Sequence, residues 1–330
     1  MKKRMISGIK PTGQMHLGNY IGALKPFAMH QDEFDVSIFI ANLHCITMPI
    51  DPKELETNLR DAMAFYIASG LDPEKTDIFL QTDVPEIAQL GFIMASLISM
   101  GELNRMTQFK DKSKTEVSLS SAFYTYPTLM AADILIHKAA YVPVGEDQKQ
   151  HVELTRDVAE RFNNRFGETF VVPEPVIPKV GARIMSLQDP SKKMSKSDHE
   201  GNKGVIYLKD DLKTARKKIM SAVTDSENKI VYDPEKQPGV ANLLQIYAAL
   251  QEISIPEAVT HFEGMQYGGF KKAVADVVCA ELEQIQAKYN EVIDSGVLDE
   301  ILEAGALKVR PQAQALLQEV ELKMGMVWQR

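Results

Sequence analysis

Lys193 and Lys196 share the short polar stretch KKMSKS, residues 192–197. Ammonium groups on such a loop act as mobile point charges. They can reach a polyphosphate and neutralise negative charge as it develops during phosphoryl or nucleotidyl transfer. A solvated charge run is the plain alternative. Far upstream, PTGQMHLGNY (11–20) places a second group of special residues between the apolar MISGI and the helix-like IGALKPF. A strand ending at Gly8, a turn carrying Pro11, Thr12 and Gly13, and a helix from about Leu17 would gather free backbone N–H groups at a helix N-terminus, which favours an anion. Gly18 keeps a side chain away from where a ligand's flat face or sugar would press, at some cost in helix propensity. His16 and Asn19 add donors beside that site. The patterns GxxxxGK[ST] and GxGxxG are both absent, so neither a P-loop nor a dinucleotide fingerprint explains the stretch.

A third group lies in TYPTLMAADILIHKAAYVPVGEDQKQH, residues 125–151. Asp133 stands alone in the apolar run LMAADILI, where a carboxylate is costly unless donors reach it. Helical spacing sets Met130 and Ile134 beside it and His137 one turn on. A soft apolar wall with one buried acceptor suits an aromatic ligand that carries a donor. An indole N–H can only donate and a phenol O–H can also donate, so the ring stays open at this point. GEDQ (145–148) follows the strand-like YVPV. Gly145 would let the backbone approach a ribose or phosphate, Asp147 could bond ribose hydroxyls, and Gln148 could face the same ligand. Asp147 as an ordinary helix N-cap is the alternative.

The elements that must position these groups follow from hydrophobic patterning. RMISGI, FDVSIFIAN (34–42), TDIFLQ (76–81) and YVPV (141–144) each precede a helical pattern: from Leu17, over 53–69, over 86–99, and QHVELTRDVAERFN. This alternation predicts βαβ units and an α/β fold with a parallel sheet, ligands sitting at the carboxyl ends of the strands. ARIMSL (182–187) reads as a further strand. The proline-rich VVPEPVIPKVGARI (171–184) interrupts the pattern and closes the first domain, FKDKSKTEVSLSS (109–121) reads as a polar loop, and from Lys209 onward the chain reads as helices.

At 330 residues the chain suits a larger domain plus a smaller, all-helical one. A net charge of −8 argues against indiscriminate binding to nucleic acid, DNA included, although DPSKKMSKS and KTARKKIM are local basic patches. Cys45 and Cys279 lack zinc-site spacing and fit the buried thiols of a reduced, cytoplasmic protein. No apolar run approaches a membrane span, and MKKRMISGIK turns polar too soon for a signal peptide.

Lys193 to Ser197 match the KMSKS signature of class I aminoacyl-tRNA synthetases letter for letter, and PTGQMHLGNY resembles the PTGxxHxGNY variant of their HxGH signature. With GELNRMTQFK, YPTLMAADIL, VPVGEDQKQHVELTRDVAERFN and PKVGARIMSL, the chain resembles the bacterial tryptophanyl-tRNA synthetases through nearly its whole length. The resemblance implies a homodimer whose Rossmann-like catalytic domain spans 1–188 and is rejoined by a C-terminal helix about 308–330. Residues 189–307 would then hold the KMSKS loop and a helical tRNA anticodon-binding domain. It implies ATP as substrate, Mg²⁺ on the ATP phosphates with no protein ligand set, and L-tryptophan and tRNA(Trp) as partners.

Carried over by residue, the resemblance sets Lys10, Pro11, Thr12, His16, Gly18 and Asn19 around ATP. Gly145, Glu146, Asp147 and Ile184 would join them at the adenosine, with Lys193, Met194, Ser195, Lys196 and Ser197 at the phosphates. It sets Asp133 on the indole nitrogen, Met130, Val142, Val144, His44 and Ile6 around the ring, and Tyr126 and Gln148 on the amino group. Lys112 matches a family lysine that reaches the phosphates, so that His16, Lys112, Lys193 and Lys196 form the catalytic set. A tyrosyl-tRNA synthetase shares the architecture and is disfavoured by GNY, MAADIL and GEDQKQH. A non-ligating RNA-binding paralogue is disfavoured by the lysines it would have lost, and a small-molecule nucleotidyltransferase by the long helical region.

Overall fold

The computed structural model describes residues 2–115, 118–176, 183–195 and 202–328. Among them, five parallel strands form one sheet: β1 (Arg4–Ile9), β2 (Asp35–Ile40), β3 (Thr76–Leu80), β4 (Tyr141–Pro143) and β5 (Glu174–Val176), in the order β3-β2-β1-β4-β5. Five of the six residues of β2 are buried, as expected of a central parallel strand covered on both faces. The chain winds one way from β1 through β2 to β3 and the other way to β4. The carboxyl ends of β1 and β4 therefore flank the topological switch point, where such sheets bind ligands.

One face of the sheet packs against helix Pro52–Ala68, on which helix Tyr267–Val292 is layered in turn, Phe65 stacking on Tyr289 with ring centroids 4.6 Å apart. The other face carries helices Glu86–Ala95, Ser121–Leu135 and Lys149–Phe166. The final helix, Val297–Lys323, returns to β3. Gly305 lies so close that a Cβ there would sit 2.0 Å from the Ile78 carbonyl oxygen, and Lys308 pairs with Asp77 of the strand. That edge of the sheet is thus covered rather than left open to pairing.

The helical region holds Leu212–Met220, Pro238–Gln251, Ile255–His261, Tyr267–Val292 and Val297–Lys323. The last helix begins at Val297, before the start near 308 that the resemblance implies, and continues through Pro311.

Three readings need correction. Residues 107–115 are helical, not loop, because Gln150 Oε1 accepts from both the backbone N–H (2.9 Å) and the hydroxyl (3.0 Å) of Thr107 and anchors the first turn from outside. The proline tract contributes β5, an edge strand, where Pro175 is tolerated because no other strand of the described residues pairs on its far side. Among the described residues of ARIMSL, 183–187, there is no strand: Met185 forms a lone antiparallel bridge with Lys193, and the chain turns back so that Met194 N donates to Ile184 O at 3.0 Å and Ser186 N to Lys192 O at 2.9 Å, while Ala182 lies outside the described residues. Among the described residues, no helix is long and apolar enough to cross a membrane.

Candidate active site

A cavity of 410 Å³ opens at the switch point, walled mainly by apolar groups. Ile6 comes from β1, Met130 and Asp133 from helix Ser121–Leu135, and Val142 and Val144 from β4 and the loop after it. His44, Tyr126 and Gln148 line it beside Lys10 and His30, so all eight residues that the resemblance sets around an aromatic amino acid line one space. His137 does not belong to it; its ring packs on Phe79, with centroids 5.2 Å apart.

Asp133 is 1% exposed, and both of its oxygens are met by donors. Gln81 Nε2 donates to Oδ1 at 2.6 Å, and His44 Nε2 lies 2.8 Å from Oδ2. Burial pushes the carboxyl above its ordinary pKa while these two contacts oppose that shift. Each carboxylate oxygen offers about two lone pairs, so each retains one for a ligand N–H.

Tyr126 lies two turns before Asp133 on the same helix, its ring edge-on to His44 with centroids 6.1 Å apart. Its hydroxyl donates to Gln108 Oε1 at 2.9 Å and touches His151 Nε2, which must then carry a proton and donate to the phenol oxygen. Burial pulls the His151 ring down to about 4, so the imidazole is neutral near pH 7. This network links the cavity to helix Thr107–Thr115, which bears Lys112.

Lys10 joins the cavity to a second, more polar cleft of 870 Å³ that is also lined by Thr12 and Lys112. Its Nζ lies 3.3 Å from Thr47 Oγ1. Burial lowers the Lys10 ammonium below the usual lysine value, and the charge of Lys112 acts in the same direction, against Cys45. Two cations drawn together in this way are suited to receive an anion.

The first helical turn begins at His16, whose Nδ1 accepts from Asn19 N at 3.2 Å while Asn19 Oδ1 accepts from His16 N at 3.2 Å. This reciprocal cap fixes both side chains by their acceptor atoms. The turned-out ends of the two side chains are therefore both N–H bearing. Pro11 is buried beneath the turn and Gly13 takes a φ of 64°, a conformation favouring glycine. A Cβ on Gly18 would stand 3.1 Å from the His16 ring and 3.5 Å from Ile184 Cβ, so this glycine keeps the turn, His16 and the following loop in contact.

Gly145 lines the cavity, and residues Glu146–Gln148 form a tight turn after β4. Asp147 does not cap the helix Lys149–Phe166. Its Oδ2 accepts from Gln148 Nε2 at 3.1 Å, which leaves it at the rim. In the lysine loop Met194 is buried, Ser195 half-buried and Lys193 exposed; Lys196 and Ser197 lie outside the described residues. Gln81 is the one polar contact of Asp133 that residue patterning misses. Its available signal was a glutamine at the carboxyl end of an otherwise apolar strand, TDIFLQ.

A parallel sheet with a cavity at its switch point, in a chain whose sequence carries HxGN and KMSKS, defines a class I aminoacyl-tRNA synthetase. A family model of the class I tRNA synthetases for tryptophan and tyrosine matches residues 2–283, and the chain belongs to this family. Within it the chain is similar to tryptophan–tRNA ligases. That of Caldanaerobacter subterraneus subsp. tengcongensis is 51% identical, covering 98% of this chain and 99% of the relative, and that of Bacillus subtilis is 51% identical over 99% and 98%. The crystal structure of tryptophanyl-tRNA synthetase from Mycoplasma pneumoniae matches with a TM-score of 0.91 at 37% identity over 98% of both chains. The Campylobacter jejuni enzyme, complexed with ADP and tryptophan, matches with a TM-score of 0.81 at 35% identity over 98% of this chain and 99% of that one.

Proposed function

We propose that this chain activates L-tryptophan with ATP to tryptophanyl-adenylate and passes the aminoacyl group to the 3′-terminal adenosine of tRNA(Trp), releasing pyrophosphate and AMP. The observation that carries this reading is a shared wall. An apolar cavity with a buried carboxylate, Asp133, and a more polar cleft lined by Thr12 and Lys112 have Lys10, Gln108 and Phe123 in common.

In the first step the tryptophan carboxylate attacks the α-phosphorus of ATP in line and pyrophosphate leaves. The substrate supplies its own nucleophile, so the protein's work is positioning and charge stabilisation. Asp133 accepts the indole N–H, while Tyr126 and Gln148 hold the amino group. Ile6, His44, Met130, Val142 and Val144 fix the ring. Pro11, Gly18, Asn19, Gly145, Glu146, Asp147 and Ile184 seat the adenosine end. His16, Lys10, Lys112, Lys193 and Lys196 meet the phosphates as charge shifts toward the leaving pyrophosphate, with Met194, Ser195 and Ser197 shaping the loop. Mg²⁺ would ride on those phosphates. Residues 189–307, in this reading, bind the anticodon and two chains form a homodimer in the cytoplasm.

Pyrophosphate exchange into ATP, with tryptophan and tyrosine compared side by side, tests the reading. Exchange supported by tryptophan alone is expected. Exchange with tyrosine alone would reverse the substrate assignment, and exchange with neither would point to a protein that keeps the fold without the ligase chemistry.

A further inference from the structure

Leu43 N donates to Gln81 Oε1 at 3.0 Å, and Gln81 Nε2 donates to Asp133 Oδ1 at 2.6 Å. The other carboxylate oxygen of Asp133 is 2.8 Å from Nε2 of His44, the residue next to Leu43 on the short helix Asn42–Cys45. These contacts close a ring through Leu43, Gln81, Asp133 and His44, drawn from three segments of the chain. Gln81 is 0% exposed.

The orientation of the Gln81 amide is set by chemistry. A backbone N–H can only donate, so the amide oxygen must face Leu43 and the NH₂ must face Asp133. We infer that Gln81 is a positioning residue for substrate selection, holding the Asp133 carboxylate ionised and aimed so that its remaining lone pairs meet the ring N–H of the amino acid. This rests on the reading of Asp133 as the acceptor for the indole. It differs from a packing role in one respect: the amide supplies a donor to an anion in a dry site. Hydrogen bonds to charged groups are the stronger kind and are costly to lose when buried.

The titratable or charged groups lining the cavity with Asp133 are Lys10, His30, His44 and Tyr126, and of these His44 touches it. The other polar contact is Gln81, which cannot titrate. Removing its N–H donor should therefore move the ionisation of Asp133 upward, in the direction burial already pushes it. Tryptophan recognition would then begin to fail at a higher pH.

Two variants separate this from structure alone. Gln81→Met keeps the length and volume but gives neither contact. Gln81→Glu keeps an oxygen for Leu43 N–H and sets a second carboxyl against Asp133, where two such groups share a proton. For Gln81→Met, the KM for tryptophan in pyrophosphate exchange is expected to rise about 10- to 100-fold, with the KM for ATP unchanged. The acidic limb of kcat/KM for tryptophan should move to higher pH. For Gln81→Glu the dependence should invert, activity being better at low pH, where the shared proton restores a donor. Asp133→Asn serves as the control on the underlying reading. If Asp133→Asn is impaired and both Gln81 variants keep the wild-type tryptophan KM and pH profile, the role of Gln81 is overturned. If Asp133→Asn itself handles tryptophan normally, the assignment of Asp133 as acceptor is overturned instead. Should Gln81→Met fail to fold, the inverted profile of Gln81→Glu still decides.

Discussion

His44 Nε2 stands 2.8 Å from Asp133 Oδ2, joining the short helix after β2 to helix Ser121–Leu135 across the floor of the cavity. An ionised carboxylate only accepts, so this histidine must present a proton on Nε2, and its tautomer is fixed by its partner. The cavity thus presents a buried acceptor that two neighbouring donors hold in place. A site built to bond a ring donor can reject analogues lacking that donor by roughly 10⁴ to 10⁵.

The Asp133→Ala variant should therefore lose selectivity more than it loses chemistry. Its kcat/KM for tryptophan should fall while that for phenylalanine, which has no ring donor, changes little, narrowing the ratio by orders of magnitude. Competing pyrophosphate-exchange assays measure this. Normal activation of tryptophan with undiminished refusal of phenylalanine would remove Asp133 from its assigned role.

On the proposed reading Lys112 and Lys193 meet the ATP phosphates, and they should then act more strongly in the transition state than in the ground state. Changing either to alanine is expected to lower kcat by about 10-fold or more, with tryptophan affinity by equilibrium dialysis nearly unchanged. A loss of tryptophan binding as large as the loss in turnover would argue that these lysines support the fold of the pocket.

What could be read in advance was local. His16, Gly18, Asn19 and the KMSKS residues carry their meaning in spacing along the chain, and Asp133 announces itself as a charge within an apolar run. His16 and Asn19 hold each other within one turn, but Asp133 and the helix of Lys112 are held by contacts that are not local. Gln81 reaches Asp133 across 52 positions, and Gln150 starts the Lys112 helix from 43 positions away. Neither glutamine carries a pattern of its own. The helix over 107–115 has no apolar stripe to betray it. β5 is three residues long and contains a proline, so propensity hides it and only the pairing with β4 reveals it.

Gly305 makes a stability prediction at the seam between the last helix and the sheet. A methyl there would meet the Ile78 carbonyl oxygen at 2.0 Å, which is backbone and cannot rotate away. The Gly305→Ala variant must lift the helix from β3, a change expected to cost about 1–3 kcal/mol despite alanine's better helix propensity. By contrast Gly268→Ala, whose methyl meets nothing within 4 Å, should be neutral or slightly stabilising. Thermal denaturation of both variants checks this, and equal effects at the two sites would contradict the close packing.

His137 supplies the pH dependence. It is 1% exposed, and neither ring nitrogen finds a hydrogen-bond partner among the described residues. Burial, aided by the nearby Arg4 guanidinium, pulls its pKa down to about 3 from the ordinary 6.5. The unfolded chain therefore binds this proton at a higher pH than the folded one. The contribution to stability is complete above pH 6.5 and is lost as pH falls from there toward 3. A His137→Phe variant keeps a ring against Phe79 and cannot titrate. Its melting temperature relative to the wild type should rise steadily between pH 7 and pH 4, whatever the offset at neutral pH. An offset that stays constant over that range would mean that the histidine takes up its proton as readily in the folded protein as in the unfolded chain.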